Sequence, residues 1–392
     1  MVSASPSMTT RPPRSGGNGY PPDAQTAEQR PRTTQGQWFK PRREPGRLGV
    51  VSVVRLLALE VVLGTVFFVV LQELWAMLLG GTLGLLAVVA MFGRSNGRWW
   101  SESLGLWLRY KLRAGRSGSQ AGDPRVAALC ELTPELVIED IDDSGDGELG
   151  MGSDGAGWFA VLEIALTEDG PMPPVPLAPL AAIADEAEQA GVVIQVVSHR
   201  TAARDNAMWV AVRLDANAVA QSVIDQPSSQ VDVPVVLAEL THRVERLLHK
   251  HDLRARPLRA DELTDALVRS CDLLPNQLTQ VREDWDCWHS TRLAHGCYWL
   301  RTWPDPERNV RLFATLLELP AALISISFLI EPSFHGTTLR CLVRLAAARD
   351  HYQALCANAE RIVGWTGAQL TRLDGQHAPA VYASAPSGGG AR

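Results

Sequence analysis

Several features that would assign a function at once are missing from this sequence of 392 residues. The six cysteines are scattered, with no CxxC pair and no dense framework, which excludes a disulfide scaffold and is typical of reduced thiols in a cytosolic compartment. The net charge of −6 excludes the global basic surface that marks nucleic-acid-binding proteins. We therefore predict no nucleic-acid partner.

No motif that carries catalytic chemistry is complete. The phosphate-binding patterns GxxxxGKS and GxxxxGKT are absent, and so are the GxSxG elbow and the HExxH pair. Gly150, Gly152 and Gly155 match GxGxxG, but they lead into a predicted strand at Trp158, whereas a dinucleotide site follows a strand and opens a helix. The glycines predict a flexible turn. We expect a protein that is not an enzyme, with no catalytic residues, no cofactor and no small-molecule substrate.

Two motifs have the residue types of a metal site. An acidic run that begins at Glu139 resembles a calcium loop counted from Asp140, but the twelfth position is Met151, so the bidentate carboxylate is missing. The pattern CxHx5HxC could gather four zinc ligands on a hairpin, or belong to an aromatic hairpin whose register separates them; its members are Cys287, His289, His295 and Cys297. We predict no metal at either motif.

Two long apolar runs are the most conspicuous positive feature. Residues 50–71 and 74–92 have lengths near the ~20 residues that cross a bilayer, and only Gln72 and Glu73 separate them. We expect a two-helix transmembrane hairpin over 47–93; the alternative is a pair of buried core helices. Arginines and lysines flank the hairpin on both sides, which predicts a multi-pass inner-membrane protein with both termini in the cytoplasm.

Three residues in these runs are candidates for helix–helix contact. Glu60 is an ionisable group near mid-span, unless the span starts near Leu56 and leaves it beside the headgroups. Gly80 and Gly84 form GxxxG, which permits close backbone approach but also arises by chance in a glycine-rich run.

Residues 94–123 predict an interfacial amphipathic helix followed by a flexible linker. Trp99, Trp100 and Trp107 fall at helical spacing, opposite Arg109 and Lys111, which suits indoles at headgroup depth and contact with membrane lipid. The alternative is the first core helix of the following domain.

The remaining chain divides into one domain and two tails. Residues 124–374 mix helical and strand periods, which predicts an α/β or α+β domain on the cytoplasmic side, and no internal repeat is visible. The arm of residues 1–46 and the tail of residues 375–392, which ends SGGGAR, are predicted to be disordered because neither shows apolar periodicity. The arm is also too proline-rich to begin a signal peptide.

These features, in this order, resemble the EccE family, a component of actinobacterial type VII (ESX) secretion systems. The resemblance covers about Arg47 to Gly364 and rests on architecture together with loose motifs: Asp154–Glu163 (DGAGWFAVLE), Met208–Asp215 (MWVAVRLD), Arg243–Leu248 (RVERLL), Arg256–Leu258 (RPL), Cys287–His289 (CWH) and Tyr298–Pro304 (YWLRTWP).

The resemblance implies a structural subunit of the secretion system's inner-membrane core complex. It implies EccB, EccC and EccD-type partners, export of small helical WXG100-type substrates, and ATP hydrolysis by EccC. The rival interpretation is a membrane-tethered transferase acting on lipid-linked or nucleotide-linked substrates, since a mixed α/β domain does not fix function.

Overall fold

A computed structural model describes residues 123–389 apart from short gaps at 143–146, 168–169, 171, 188, 204, 226–230, 275–280, 304–305 and 333–336, and, before them, residues 47–48, 51–52, 59–65, 67, 74–95 and 98–113. The predicted disordered arm of residues 1–46 lies outside the described residues.

The chain before residue 114 forms two short hairpins and two helices. Strands β1 (Arg47–Leu48) and β2 (Val51–Ser52) pair antiparallel, and residues 59–65 are helical. Helix α1 (Leu74–Phe92) is followed by the paired strands β3 (Arg94–Ser95) and β4 (Arg98–Trp99), and then by α2 (Trp100–Arg113).

The predicted transmembrane hairpin is wrong. Among the residues described, no helix combines the length with the apolar character that a membrane crossing requires. Strand β2 occupies Val51 and Ser52 at the start of the predicted first span, and the residues described further along that run include a helical stretch over 59–65. The same finding overturns the predicted localisation as a multi-pass inner-membrane protein.

The rest of the chain alternates strands and helices, which confirms the mixed α/β domain. In chain order its elements are α3 (Pro124–Cys130), β5 (Val137–Asp142), β6 (Glu148–Ser153), β7 (Gly157–Ile164), α4 (Leu177–Asp185), β8 (Val192–Thr201), β9 (Ala207–Asp215), α5 (Ala216–Asp225), α6 (Val233–Lys250), β10 (Ala255–Pro257), α7 (Ala260–Cys271), β11 (Arg282–Glu283), β12 (Trp288–His289), β13 (Ala294–Thr302), α8 (Pro306–Leu317), β14 (Leu323–Glu331), β15 (Thr338–Ala347), α9 (Arg349–Trp365), β16 (Gln369–Arg372) and α10 (His377–Ser384).

Within the described residues, β5 to β16 form one twelve-stranded antiparallel sheet. Its order is β11-β12-β13-β15-β14-β8-β9-β7-β6-β5, with β16 also paired to β13 and β10 also paired to β7.

The order of the strands reveals an internal duplication that the sequence did not show. Strand β7, helix α4, strands β8 and β9, helix α6 and strand β10 follow a βαββαβ path, with the additional helix α5 between β9 and α6, and their spatial order is β10-β7-β9-β8. Elements β13, α8, β14, β15, α9 and β16 repeat that path with order β16-β13-β15-β14. A helix and a two-strand hairpin precede each copy: α3 with β5–β6, and α7 with β11–β12. This is the ferredoxin-like arrangement, present twice.

The two copies join edge to edge through the same strand of each. β8 and β14 pair antiparallel over eight residues, from Ile194 opposite Ile330 to Thr201 opposite Leu323. Each copy thus covers the edge strand that the other would leave with unpaired backbone groups.

Apolar side chains cover both faces of the sheet. On one face, α4 and α6 pack over the first copy, through residues such as Leu180 and Val244, while α8 and α9 pack over the second. On the opposite face α3, α7 and α10 share a single core around the fully buried Trp209. The six cysteines are free and buried.

The predicted disordered tail is also wrong. Helix α10 and the residues after it lie on the sheet, and Tyr382 and Ser387 are fully buried. The SGGGAR composition suggested flexibility, yet Gly388 (φ +72°) and Gly389 (φ +73°) adopt left-handed conformations that favour glycine. A Cβ added at Gly389 would lie 2.0 Å from the Cδ2 atom of Leu329, so a side chain at this position would require Leu329 to move.

Candidate functional site

A groove opens where the two copies join, on the face of the sheet that α4, α6, α8 and α9 cover. It encloses about 730 Å³ and is lined by residues of both copies, among them Val196 and Met208 from the first and Phe313 and Phe328 from the second. The rings of Phe313 and Phe328 pack edge to face with centroids 4.9 Å apart. This largely apolar lining suits contact with an apolar group.

A buried ion pair fixes the C-terminal segment on the other face. Arg213 of β9 donates two hydrogen bonds to Asp154, at 2.7 and 2.8 Å, with 5% and 0% of the two side chains exposed. The hydroxyl of Tyr382 donates to the same carboxylate at 3.2 Å, and Arg213 also donates to the carbonyl of Ser387 at 3.0 Å. Burial and the negative charge of Asp154 hold the pKa of Tyr382 well above its usual range.

Polar side chains cross the middle of the sheet beneath α7 and α10. His199, Ser325, Arg344 and Cys297 are successive partners on β8, β14, β15 and β13, so they form one row. Arg344 donates to the carbonyl of Ser270 in α7. Burial, reinforced by the charge of Arg344, lowers the pKa of His199 to about 3. The row therefore holds a neutral imidazole beside a buried guanidinium.

His295 lies close to this row, on β13. Burial lowers the pKa of His295 to about 4, against the opposing effect of Asp272, whose Oδ2 atom lies 3.6 Å from Nε2 of His295. The imidazole is therefore neutral at physiological pH.

A third polar group lies on the turn between β11 and β12. The Sγ atom of Cys287 lies 3.3 Å from Nε2 of His289, and the same nitrogen lies 3.0 Å from Oδ2 of Asp284. Three potential metal-ligand atoms meet here within 4.8 Å of one another.

The four residues of the CxHx5HxC motif do not converge. Trp288 pairs with His295 and His289 pairs with Ala294, so His289 and His295 lie on opposite faces of the hairpin. Cys297 instead approaches His377: its backbone N–H donates to Nδ1 of that ring at 3.2 Å. The sequence did not point to Asp284. The motif was recognised from ligand residues two apart in a strand, and Asp284 lies in the turn before that strand.

The other motifs have local structural roles. Gly150 and Gly152 lie within β6, and only Gly155 (φ +75°) lies in the turn before β7, so the flexible turn predicted for all three glycines is wrong for the first two. In the acidic run, Asp140 accepts a hydrogen bond of 2.7 Å from the backbone N–H of Ala260, the first residue of α7. Residues 143–146 of that run lie outside the described residues.

The predicted contact residues occupy the chain before residue 114. Glu60 is exposed, Gly80 is half-buried and Gly84 is buried. Trp100 and Trp107 remain 47% and 44% exposed, whereas the side chain of Trp99 lies outside the described residues. Their predicted roles in helix contact and in lipid anchoring stay predictions.

Helix α2, which carries two of these tryptophans, also contacts the domain. The hydroxyl of Tyr110 donates to the carbonyl of Glu283 at 3.0 Å, and its ring packs edge to face on Trp285 with centroids 5.9 Å apart. The turn between β11 and β12 is therefore the place where α2 meets the sheet.

The fold defines a tandem ferredoxin-like α/β protein. Its buried polar groups mainly hold its own strands, helices and C-terminal segment together.

Residues 202–300 match the family model described as "EccE: Putative type VII ESX secretion system translocon, EccE". This match confirms the resemblance to the EccE family over that segment, which begins directly after β8, ends within β13 and so includes parts of both copies. The chain is thus similar to a component of a type VII secretion system.

No curated protein matches the chain. Among solved structures, one from Fusobacterium nucleatum subsp. nucleatum, described as a "Putative monooxygenase", is 10% identical, with 56% of this chain and 93% of that chain covered and a TM-score of 0.15. A likeness of that size carries no argument about fold or activity.

Proposed function

We propose that this protein is a structural subunit of a type VII secretion complex, supporting export of WXG100-type substrates through contacts with EccB, EccC and EccD-type subunits. The match of residues 202–300 to the EccE family carries this proposal. Its role is to hold partners in place, while EccC supplies ATP hydrolysis.

The EccE-like segment offers exposed apolar residues for such contacts. Ile224 at the end of α5 is 68% exposed, and Val235 near the start of α6 is 55% exposed. Large aliphatic side chains in water suit burial against another protein, at about 25 cal/mol for each Å² of apolar surface removed from solvent. Gly80 and Gly84 are further proposed contact positions, for a partner's helix.

Co-purification tests this proposal directly. The tagged full-length protein is expressed with the other type VII components, and co-purifying chains are quantified by mass spectrometry. We expect EccB, EccC and EccD-type subunits with the wild type, and recovery of the protein alone would overturn the proposal.

Matched variants test the contact surface. Ile224→Arg and Val235→Arg should lower recovery of the partners several-fold without lowering thermal stability, because both side chains are already in water. Trp365→Arg is the control, since Trp365 is 77% exposed but lies outside the EccE-like segment. Equal recovery for all three variants would show that the contacts lie elsewhere.

A further inference from the structure

The turn between β11 and β12 brings a thiol, an imidazole and a carboxylate to one point. Asp284, Cys287 and His289 lie at positions i, i+3 and i+5, and the backbone N–H of Asp284 donates to the carbonyl of Cys287 at 2.9 Å to close the turn. The side chain of His289 is 12% exposed and that of Asp284 is 31% exposed, so a path to solvent exists beside the carboxylate.

The Nε2 atom of His289 has two close polar neighbours, which is one more than it can hydrogen-bond as a neutral imidazole nitrogen. Both Sγ of Cys287 and Oδ2 of Asp284 approach the same Nε2 atom, at 3.3 and 3.0 Å. A neutral imidazole nitrogen either donates one hydrogen or accepts one. A cation placed among the three atoms would instead take a lone pair from each.

The distances match the edges of a small tetrahedral site. Zinc bonds of about 2.3 Å to sulfur and about 2.0–2.1 Å to nitrogen or oxygen imply ligand separations of roughly 3.5 Å for S···N and roughly 3.4 Å for N···O. The observed separations are 3.3 and 3.0 Å. Shifts of a few tenths of an ångström would bring these two separations to the tetrahedral values, and the third, between the sulfur of Cys287 and the carboxylate of Asp284, lies within 4.8 Å.

A cysteine–histidine nucleophile fits this arrangement poorly. In a catalytic triad the carboxylate and the nucleophile contact opposite nitrogens of the imidazole, whereas here both contact Nε2.

We infer that Asp284, Cys287 and His289 bind one zinc-type divalent ion, with a fourth coordination position open to solvent. Sulfur and imidazole ligands select zinc over the oxygen-preferring magnesium and calcium. From the sequence alone we predicted no metal, because an aromatic hairpin whose register separates Cys287, His289, His295 and Cys297 explained the motif.

The ion would fasten a turn on which three other parts of the chain converge. Tyr110 of α2 donates to the carbonyl of Glu283, Tyr352 of α9 donates to that of Asp286, and the N–H of Gly375 donates to that of Trp285. Binding would release the thiol proton of Cys287, so zinc affinity should rise with pH.

Metal titration of the full-length protein tests the inference. The purified chain is stripped with a chelator, and zinc content and Co²⁺ absorption are measured. We expect one zinc per chain and a thiolate-to-cobalt charge-transfer band. Absence of zinc binding above background in the wild type would overturn the inference.

Two neighbouring carboxylates on the same turn provide a matched pair. Asp284→Asn should weaken zinc binding by more than roughly tenfold, since even outer-shell changes cost about that much. Asp286→Asn should leave it nearly unchanged, because that carboxylate lies 3.8 Å from the sulfur alone. Equal affinities for these two variants would contradict the assignment.

Sulfur ligation is tested separately. Cys287→Ser should abolish the charge-transfer band, whereas Cys297→Ser should keep it, with circular dichroism confirming that both variants are folded. Loss of the band in Cys297→Ser alone would favour the other half of the CxHx5HxC motif and overturn the site proposed here.

Discussion

Removing the carboxylate of Asp154 should strongly destabilise the protein, because it leaves the guanidinium of Arg213 buried without its counter-ion. The two side chains are 0% and 5% exposed and are joined by two hydrogen bonds of 2.7 and 2.8 Å. Breaking a buried pair from one side typically costs about 3–5 kcal/mol of unfolding free energy. Asp154→Ala also removes the acceptor for Tyr382, so we expect the upper part of that range.

Urea unfolding followed by tryptophan fluorescence measures this loss. An exposed pair provides the control: Arg243 and Glu186 are 40% and 65% exposed, so Glu186→Ala should cost about 0–1 kcal/mol. The double variant Asp154→Ala, Arg213→Met should recover part of the loss, because no charge remains buried. Two outcomes would refute the effect of an uncompensated buried charge. One is an unfolding free energy for Asp154→Ala within about 1 kcal/mol of the wild-type value, and the other is a double variant less stable than Asp154→Ala.

Two further predictions concern pH and the C-terminal segment. The pKa of His199 is about 3 in the folded protein against its ordinary value of 6.5, so the unfolded state binds more protons below pH 6.5 and stability falls as the pH drops through that window. At about 1.36 kcal/mol per pH unit, this group alone should cost about 2 kcal/mol between pH 7 and pH 5, and His199→Gln should flatten the measured pH dependence by that amount; an unchanged slope would contradict the assignment. Gly389→Ala and Gly367→Ala both place Ala at a positive φ, but only Gly389 is crowded, by Leu329, while nothing lies within 4 Å of a Cβ at Gly367. Gly367→Ala should cost about 1–2 kcal/mol of stability. Gly389→Ala should in addition expose the C-terminal residues to carboxypeptidase digestion. Equal resistance of the two variants to digestion would show that the position beside Leu329 tolerates a side chain.

Local chemistry in the sequence predicted some features correctly. Alternating and helical periodicity indicated the mixed α/β domain. The motif order also led to the EccE resemblance that residues 202–300 confirm.

The apolar runs show where local chemistry misled the prediction. Hydropathy and charge flanks alone suggested a transmembrane hairpin, but they do not fix which residues begin a helix. Pairing of β1 with β2 placed Val51 in a strand, and no described helix meets the requirement for a crossing. A hydropathy average over many residues does not detect a local backbone pairing such as that of Leu48 with Val51.

Three features were decided by the tertiary structure. The duplicated βαββαβ copies leave little sequence signal, because a buried sheet position accepts many apolar residues while strand order depends on pairing between distant segments. The composition of the C-terminal segment predicted disorder. In the structure, Arg213 of β9 and Leu329 of β14 contact this segment and hold it on the sheet. Asp284 joins Cys287 and His289 through the closure of one turn. In each case composition fixed the residue types available, and contacts between segments far apart in the chain, or across a turn, determined which of them meet.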